Sequence, residues 1–162
     1  MKKITVVCLA LCSFLFGGDL LPVKAQILEK FTLPTPWTEE ALKAEIPLPE
    51  YPRPQMRREN WTNLNGWWEY AFTETQKMPK QRDGKILVPF SPECDASGVK
   101  RQLLPKEYLW YFRTIQLPKI PAGKRLLLQF GAVDQDAVIY CNGKRAGGHR
   151  KRQAQRAPQR HG

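Results

Sequence analysis

Acid–base chemistry in this chain would have to come from carboxylates, because the only histidines are His149 and His161. Glu59, Glu69, Glu93 and Glu107 fall in its aromatic-rich middle. Two carboxyl groups facing each other roughly 5–10 Å apart can cut a glycosidic bond. None of the four sits in a recognisable acid/nucleophile setting, so they read as surface acids and no catalytic residue is assigned. A serine nucleophile is not supported either: there is no G-x-S-x-G, and His149 lies where the character of the sequence changes. No Cys/His cluster has zinc-ligand spacing. Asp134-Gln135-Asp136 lacks the glycine and distal glutamate of a calcium loop and reads as a solvated turn. No metal and no cofactor is expected.

Aromatic residues are the other chemical resource. Trp61, Trp67, Trp68, Trp110 and Tyr111 could stack on sugar faces if exposed. Large aromatics in strands more often form core, each burying about 150–250 Å². Trp61, Trp110 and one of Trp67 or Trp68 are therefore expected inside. Adjacent strand residues point to opposite faces, so the other tryptophan should be less buried and pack against the proline-rich segment that precedes it. Asn60-Trp61-Thr62 matches a glycosylation acceptor, a motif common by chance.

The elements that would position these side chains are mostly strands. Residues 26–56 are rich in proline and read as an extended lead-in on a domain surface. Within it, Thr38–Lys43 is expected to form one helical turn capped by Thr38. WWEYAF (67–72) follows the turn dipeptide Asn65-Gly66, and KILVPF (85–90) follows Asp83-Gly84. Over 108–117, Trp110, Phe112 and Thr114 alternate with Tyr111, Arg113 and Ile115. RLLLQF (125–130) reads as a buried strand. AVIYC (137–141) meets Asn142-Gly143, a strong hairpin signal, with the return strand starting at Lys144. Short strands, regular turns and no long amphipathic helix argue an all-β antiparallel sandwich.

The two ends differ from the body. Lys2 and Lys3, the apolar run 4–16 and Val23-Lys24-Ala25 read as a secretory signal cleaved after Ala25, excluded from the fold. The apolar run is too short to span a bilayer, which takes about 20 residues. The protein is therefore expected to be secreted or periplasmic, with no membrane attachment after cleavage. The net charge of +11 is concentrated at the ends, since residues 26–149 hold 18 basic and 14 acidic residues. Residues 150–162 add five cations and no acid. They read as a basic disordered tail, and the abrupt change favours a shifted reading frame or a chimeric gene model starting near residue 150. Tail cations alone offer weak, salt-sensitive attachment to anionic surfaces, and no nucleic-acid partner is expected. Cys94 and Cys141 lack a spacing signature and are expected as free thiols.

Three stretches, LPEYPRPQMRRENWTNLNGWWEYAF (48–72), LVPFSPECDASGV (87–99) and EYLWYFRTIQLP (107–118), carry a family likeness. Through them the chain resembles glycoside hydrolase family 2, the β-galactosidase and β-glucuronidase group, over about Pro34 to His149. The resemblance implies an incomplete galactose-binding-like jelly-roll β-sandwich over 57–149, the sugar-binding module of such an enzyme. It also implies that both catalytic glutamates lie on a barrel domain outside this chain, which alone should be inactive. A terminal β-linked sugar would be the partner of the full-length parent. Phe90, Ser91 and Glu93 occupy the place of a loop that reaches the sugar: Phe90 to stack, Ser91 and Glu93 to hydrogen-bond hydroxyls. A proline-shaped turn without ligand, and an independent carbohydrate-binding module, are the alternatives.

Overall fold

Where strands begin and turn is set by a few residues with left-handed backbone. Gly66 (φ 115°) opens one strand, and Asn142 (φ 51°) with Gly143 (φ 77°) makes a tight hairpin turn. A computed structural model of the chain describes residues 3–11, 34–50, 55, 57–133 and 136–150. Its strands are β1 (Lys3–Leu11), β2 (Gly66–Thr73), β3 (Gly84–Val88), β4 (Tyr108–Gln116), β5 (Asp136–Cys141) and β6 (Lys144–Arg150), and the helix α1 spans Thr38–Lys43. All six strands join one open antiparallel sheet in the order β3-β2-β4-β1-β5-β6. The fold is all-β, as its sequence pattern requires.

Each face of the sheet carries a core. On one, Val7, Leu9, Ala71, Trp110 and Phe112 are buried, with Tyr108, Val138 and Tyr140 packed against them. On the other, Val6, Trp68 and Ile86 form the cluster, joined by Leu64, Val99, Ile139 and Phe130. The alternation expected in β4 divides Trp110 and Phe112 from Tyr111 and Ile115 in this way. Buried indoles need partners: Trp110 Nε1 donates to Thr73 Oγ1 at 2.8 Å and Trp68 Nε1 to the Leu64 carbonyl at 2.8 Å.

Four expectations change. Lys3–Leu11, excluded from the fold as part of a leader, is a central strand paired with β4 and β5. A continuous apolar run suits that place, because a strand covered on both faces does not alternate. Residues 125–130, expected as a buried strand, are irregular, and Leu126, Leu127 and Leu128 are exposed. The segment pairs with none of the six strands of the described sheet, so its backbone is not held extended. Trp61, expected in the core, is 37% exposed because the chain at 61–65 has not yet entered the sheet. Thr38 is not the cap: Trp37 holds that position without a side-chain bond, and Thr38 Oγ1 instead accepts from the Thr35 amide.

Other expectations meet their residues directly. Cys8, Cys94 and Cys141 are free thiols. The lead-in lies against the body where Asn65 Nδ2 donates to the Pro47 carbonyl and Asn63 Nδ2 to that of Leu48, both at 3.0 Å. The return strand of the hairpin runs on to Arg150, opposite Asp136. The cleavage site at Val23-Lys24-Ala25, Cys12, Pro52, Pro54, Asp134-Gln135 and residues 151–162 lie outside the described residues. Among the described residues, no helix is long and apolar enough to cross a membrane.

Two buried positions test this packing. Ile86 is fully buried on the second face. Ile86→Ala should cost about 2–5 kcal/mol, read as a lowered urea midpoint. Cys8 is buried between β4 and β5, and burial pushes its thiol up to about 11 from 9.0. A raised value favours the neutral thiol of the native state. Its stabilising contribution is therefore whole below pH 9 and is lost as pH climbs from 9 to 11, by up to about 3 kcal/mol. Tyr70 is shifted in the same direction by burial and by Asp83, so the comparison must isolate Cys8. Urea melts at pH 8 and pH 11 should show a smaller loss for Cys8→Ala than for the parent. An equal loss would remove the thiol as the cause.

Candidate functional site

The loop after β3 is built by backbone bonds before any ligand is considered. Val88–Pro89 is cis. Phe90 N–H donates to the Leu87 carbonyl, and Cys94 N–H to that of Ser91, each at 3.1 Å. A 3-10 turn spans Asp95–Ser97, and Gly98 ends it at φ 78°. Ser97 is completely buried; its hydroxyl donates to the Cys94 carbonyl at 2.7 Å and accepts from Val99 N–H at 3.1 Å. This one side chain ties both limbs of the loop together.

The three residues assigned to sugar contact sit differently on this frame. Ser91 is exposed, while Phe90 and Glu93 are half-buried. Glu93 Oε1 accepts the Leu103 amide at 3.4 Å, so part of its capacity serves the loop itself. Two of the other carboxylates also hold structural partners. Glu107 binds Arg101 and accepts the Leu104 amide at 3.0 Å, and Glu69 pairs with Arg82 at 3.6 Å. These contacts make Glu69 and Glu107 structural acceptors and commit one oxygen of Glu93. Among the described residues, no group of three His, Cys, Asp or Glu side chains could hold a metal ion.

A groove of about 570 Å³ opens on the sheet nearby, lined by Thr5, Trp67, Trp68, Glu69, Arg82, Lys85, Phe112, Arg113 and Thr114. Alternation puts Trp67 and Glu69 of β2 on the same face as Phe112 and Thr114 of β4, since Glu69 and Phe112 are directly paired. Trp68 is 6% exposed and Trp67 44%, the split expected for neighbours on opposite faces. Trp67 packs against the loop: a Cβ placed on Gly98 would lie 3.3 Å from its ring. Trp67 thus belongs to the groove and touches the loop of Phe90, Ser91 and Glu93.

Charge and aromatic surface meet in this groove. The Arg82 guanidinium lies 3.4 Å from the centre of the Phe112 ring, close enough for cation–π attraction. Lys85 pairs opposite Glu69 across β2 and β3. Arg113 Nη1 donates to the carbonyls of Leu64, Asn65 and Trp67 at 3.2–3.4 Å, and burial lowers its ordinary value. Arg82 and Lys85 share the face of one carboxylate, Glu69, beside an exposed indole and two threonine hydroxyls 3.3 Å apart, Thr5 and Thr114. Such a surface can stack on and hydrogen-bond a polyol; it offers no paired acids for bond cleavage.

Sequence reasoning found Trp67 but missed Arg82, Lys85 and Arg113. The available signal was the pairing of Glu69 with the strand that follows Asp83-Gly84, which places Lys85 beside it. Arg82 lies outside the strands and carries no periodic signature.

No family model matches the chain. It is 28% identical over 95 residues to a β-glucuronidase of Streptococcus agalactiae serotype V. The aligned stretch takes in 56% of this chain and 15% of that protein, so the chain spans a small part of the relative's length. What the likeness gives is a distant relation to a glycosidase, carried by an all-β chain.

Proposed function

We propose that this chain is the opening part of the sugar-binding module of an exported family 2 glycoside hydrolase. The observation that carries the reading is the 95-residue likeness to a β-glucuronidase, laid over an all-β chain. In the parent enzyme, hydrolysis of a terminal β-linked sugar would fall to two glutamates on another domain. The residues here would hold the sugar's periphery: Trp67 and Phe90 by stacking, Ser91 and Glu93 through hydroxyls. Residues 1–25 would direct export to the periplasm or the exterior, leaving Gln26 as the new terminus.

A second reading, an independent carbohydrate-binding module, draws on the groove beside Trp67. It requires that the isolated chain bind sugar without the remainder of an enzyme. The two readings part on affinity. Millimolar binding corresponds to about −4 kcal/mol, a reasonable yield from one stacked ring and a few hydrogen bonds.

The purified chain should turn over neither p-nitrophenyl β-galactoside nor p-nitrophenyl β-glucuronide; hydrolysis by the chain alone would overturn the placement of catalysis elsewhere. Calorimetry with galactosides and glucuronides should show no binding tighter than millimolar. Tighter binding abolished by Trp67→Ala would establish the independent module. Binding unchanged by that substitution would remove the groove from the site.

A further inference from the structure

The strand at the centre of the sheet belongs to the segment that the export reading removes. In the register, Lys3–Leu11 faces Tyr108–Gln116 on one side, and Val6–Leu11 faces Asp136–Cys141 on the other. Val6, Val7, Cys8, Leu9 and Ala10 are all buried, divided between the two faces of the sheet. The hairpin turn fastens it further. Thr5 N–H donates to Asn142 Oδ1 and the Thr5 carbonyl accepts from Asn142 N–H, both at 3.0 Å.

No bond of the described sheet joins β4 to β5 directly. Both run antiparallel to β1 and therefore parallel to each other, held about two strand spacings, roughly 10 Å, apart. Without β1 the sheet divides into β3-β2-β4 and the β5-β6 hairpin, and an isolated hairpin is marginal in water. A leader engaged by an export machine must also be extracted from any structure that buries it. The same nine residues cannot do both.

We propose that folding and export are alternative fates of this chain, decided by where residues 3–11 go. Folded, the precursor hides its own leader between β4 and β5; unfolded, the leader is free for recognition. This rests on the export reading above. Its consequence is that anything loosening the pairing of β1 with β5 exposes the leader, even when no leader residue is altered.

The full-length chain provides the test. In the register, Cys8 faces Ile139, and directly opposed antiparallel residues have a separation compatible with a disulfide. Mild oxidation of the Ile139→Cys variant should join Cys8 to the introduced thiol, a disulfide identified by peptide mass. The Lys144→Cys variant, out of register, should form no bond to Cys8. Folded precursors are then exposed to signal peptidase in detergent. The parent should be cleaved after Ala25 at least about tenfold more slowly than Ile139→Asp, because cleavage waits on opening of the sheet. The oxidised Ile139→Cys chain should resist cleavage until reduced. Absence of the engineered disulfide would overturn the placement of the leader. The disulfide together with equal cleavage of all forms would overturn the competition alone. The disulfide with no cleavage of any form, Ile139→Asp included, would sink the export reading and the proposal with it.

Discussion

Every backbone bond between the two halves of this sheet passes through one strand. β2, β3 and β4 reach β5 and β6 only by way of β1. Backbone donors and acceptors taken out of water must be paired, and a strand with neighbours on both sides satisfies that demand for all three. Its side chains meet the second demand, since Val7 and Leu9 enter one core while Val6 enters the other. The edges fall to β3, which is five residues long, and β6.

That arrangement explains what the sequence showed and what it concealed. Strands with one dominant period, such as Tyr108–Gln116, were legible because alternation needs no knowledge of neighbours. The hairpin at Asn142-Gly143 was legible because its backbone demands left-handed residues, which few types tolerate. The apolar run after Lys2 and Lys3 supports two outcomes with the same composition, a leader and a doubly covered strand. Hydrophobicity alone does not separate them. RLLLQF failed in the opposite sense. Its composition suits a buried strand, but pairing is a property of the sheet, and it joins none of the six strands.

The candidate site was partly legible for similar reasons. One of the two adjacent tryptophans had to face outward, and the structure makes it Trp67. What it touches was not readable, because Gly98 is 31 positions away and reaches the ring only through the turn that Ser97 closes. The cations of the groove come from three places. Lys85 follows from register, Arg113 bends to carbonyls at the start of β2, and Arg82 is held by the Phe112 ring and Glu69. Only the first has a sequence pattern behind it.

Groove and β1 are not independent. Thr5 lines the groove, and its hydroxyl lies 3.3 Å from that of Thr114. Phe112, which stacks under Arg82, is paired with Val7 on one side and Glu69 on the other. Departure of β1 would therefore remove one wall of the groove and one neighbour of the ring that holds Arg82. Trp67, Glu69 and Lys85 would keep their mutual register, because the β2–β3 pairing does not involve β1. The part of the groove that does not depend on β1 is centred on Trp67, Glu69 and Lys85 rather than on the Thr5–Thr114 end. The physical division of the sheet thus also divides the groove, into a part owned by the β2–β3 ribbon and a part that exists only while β1 is in place.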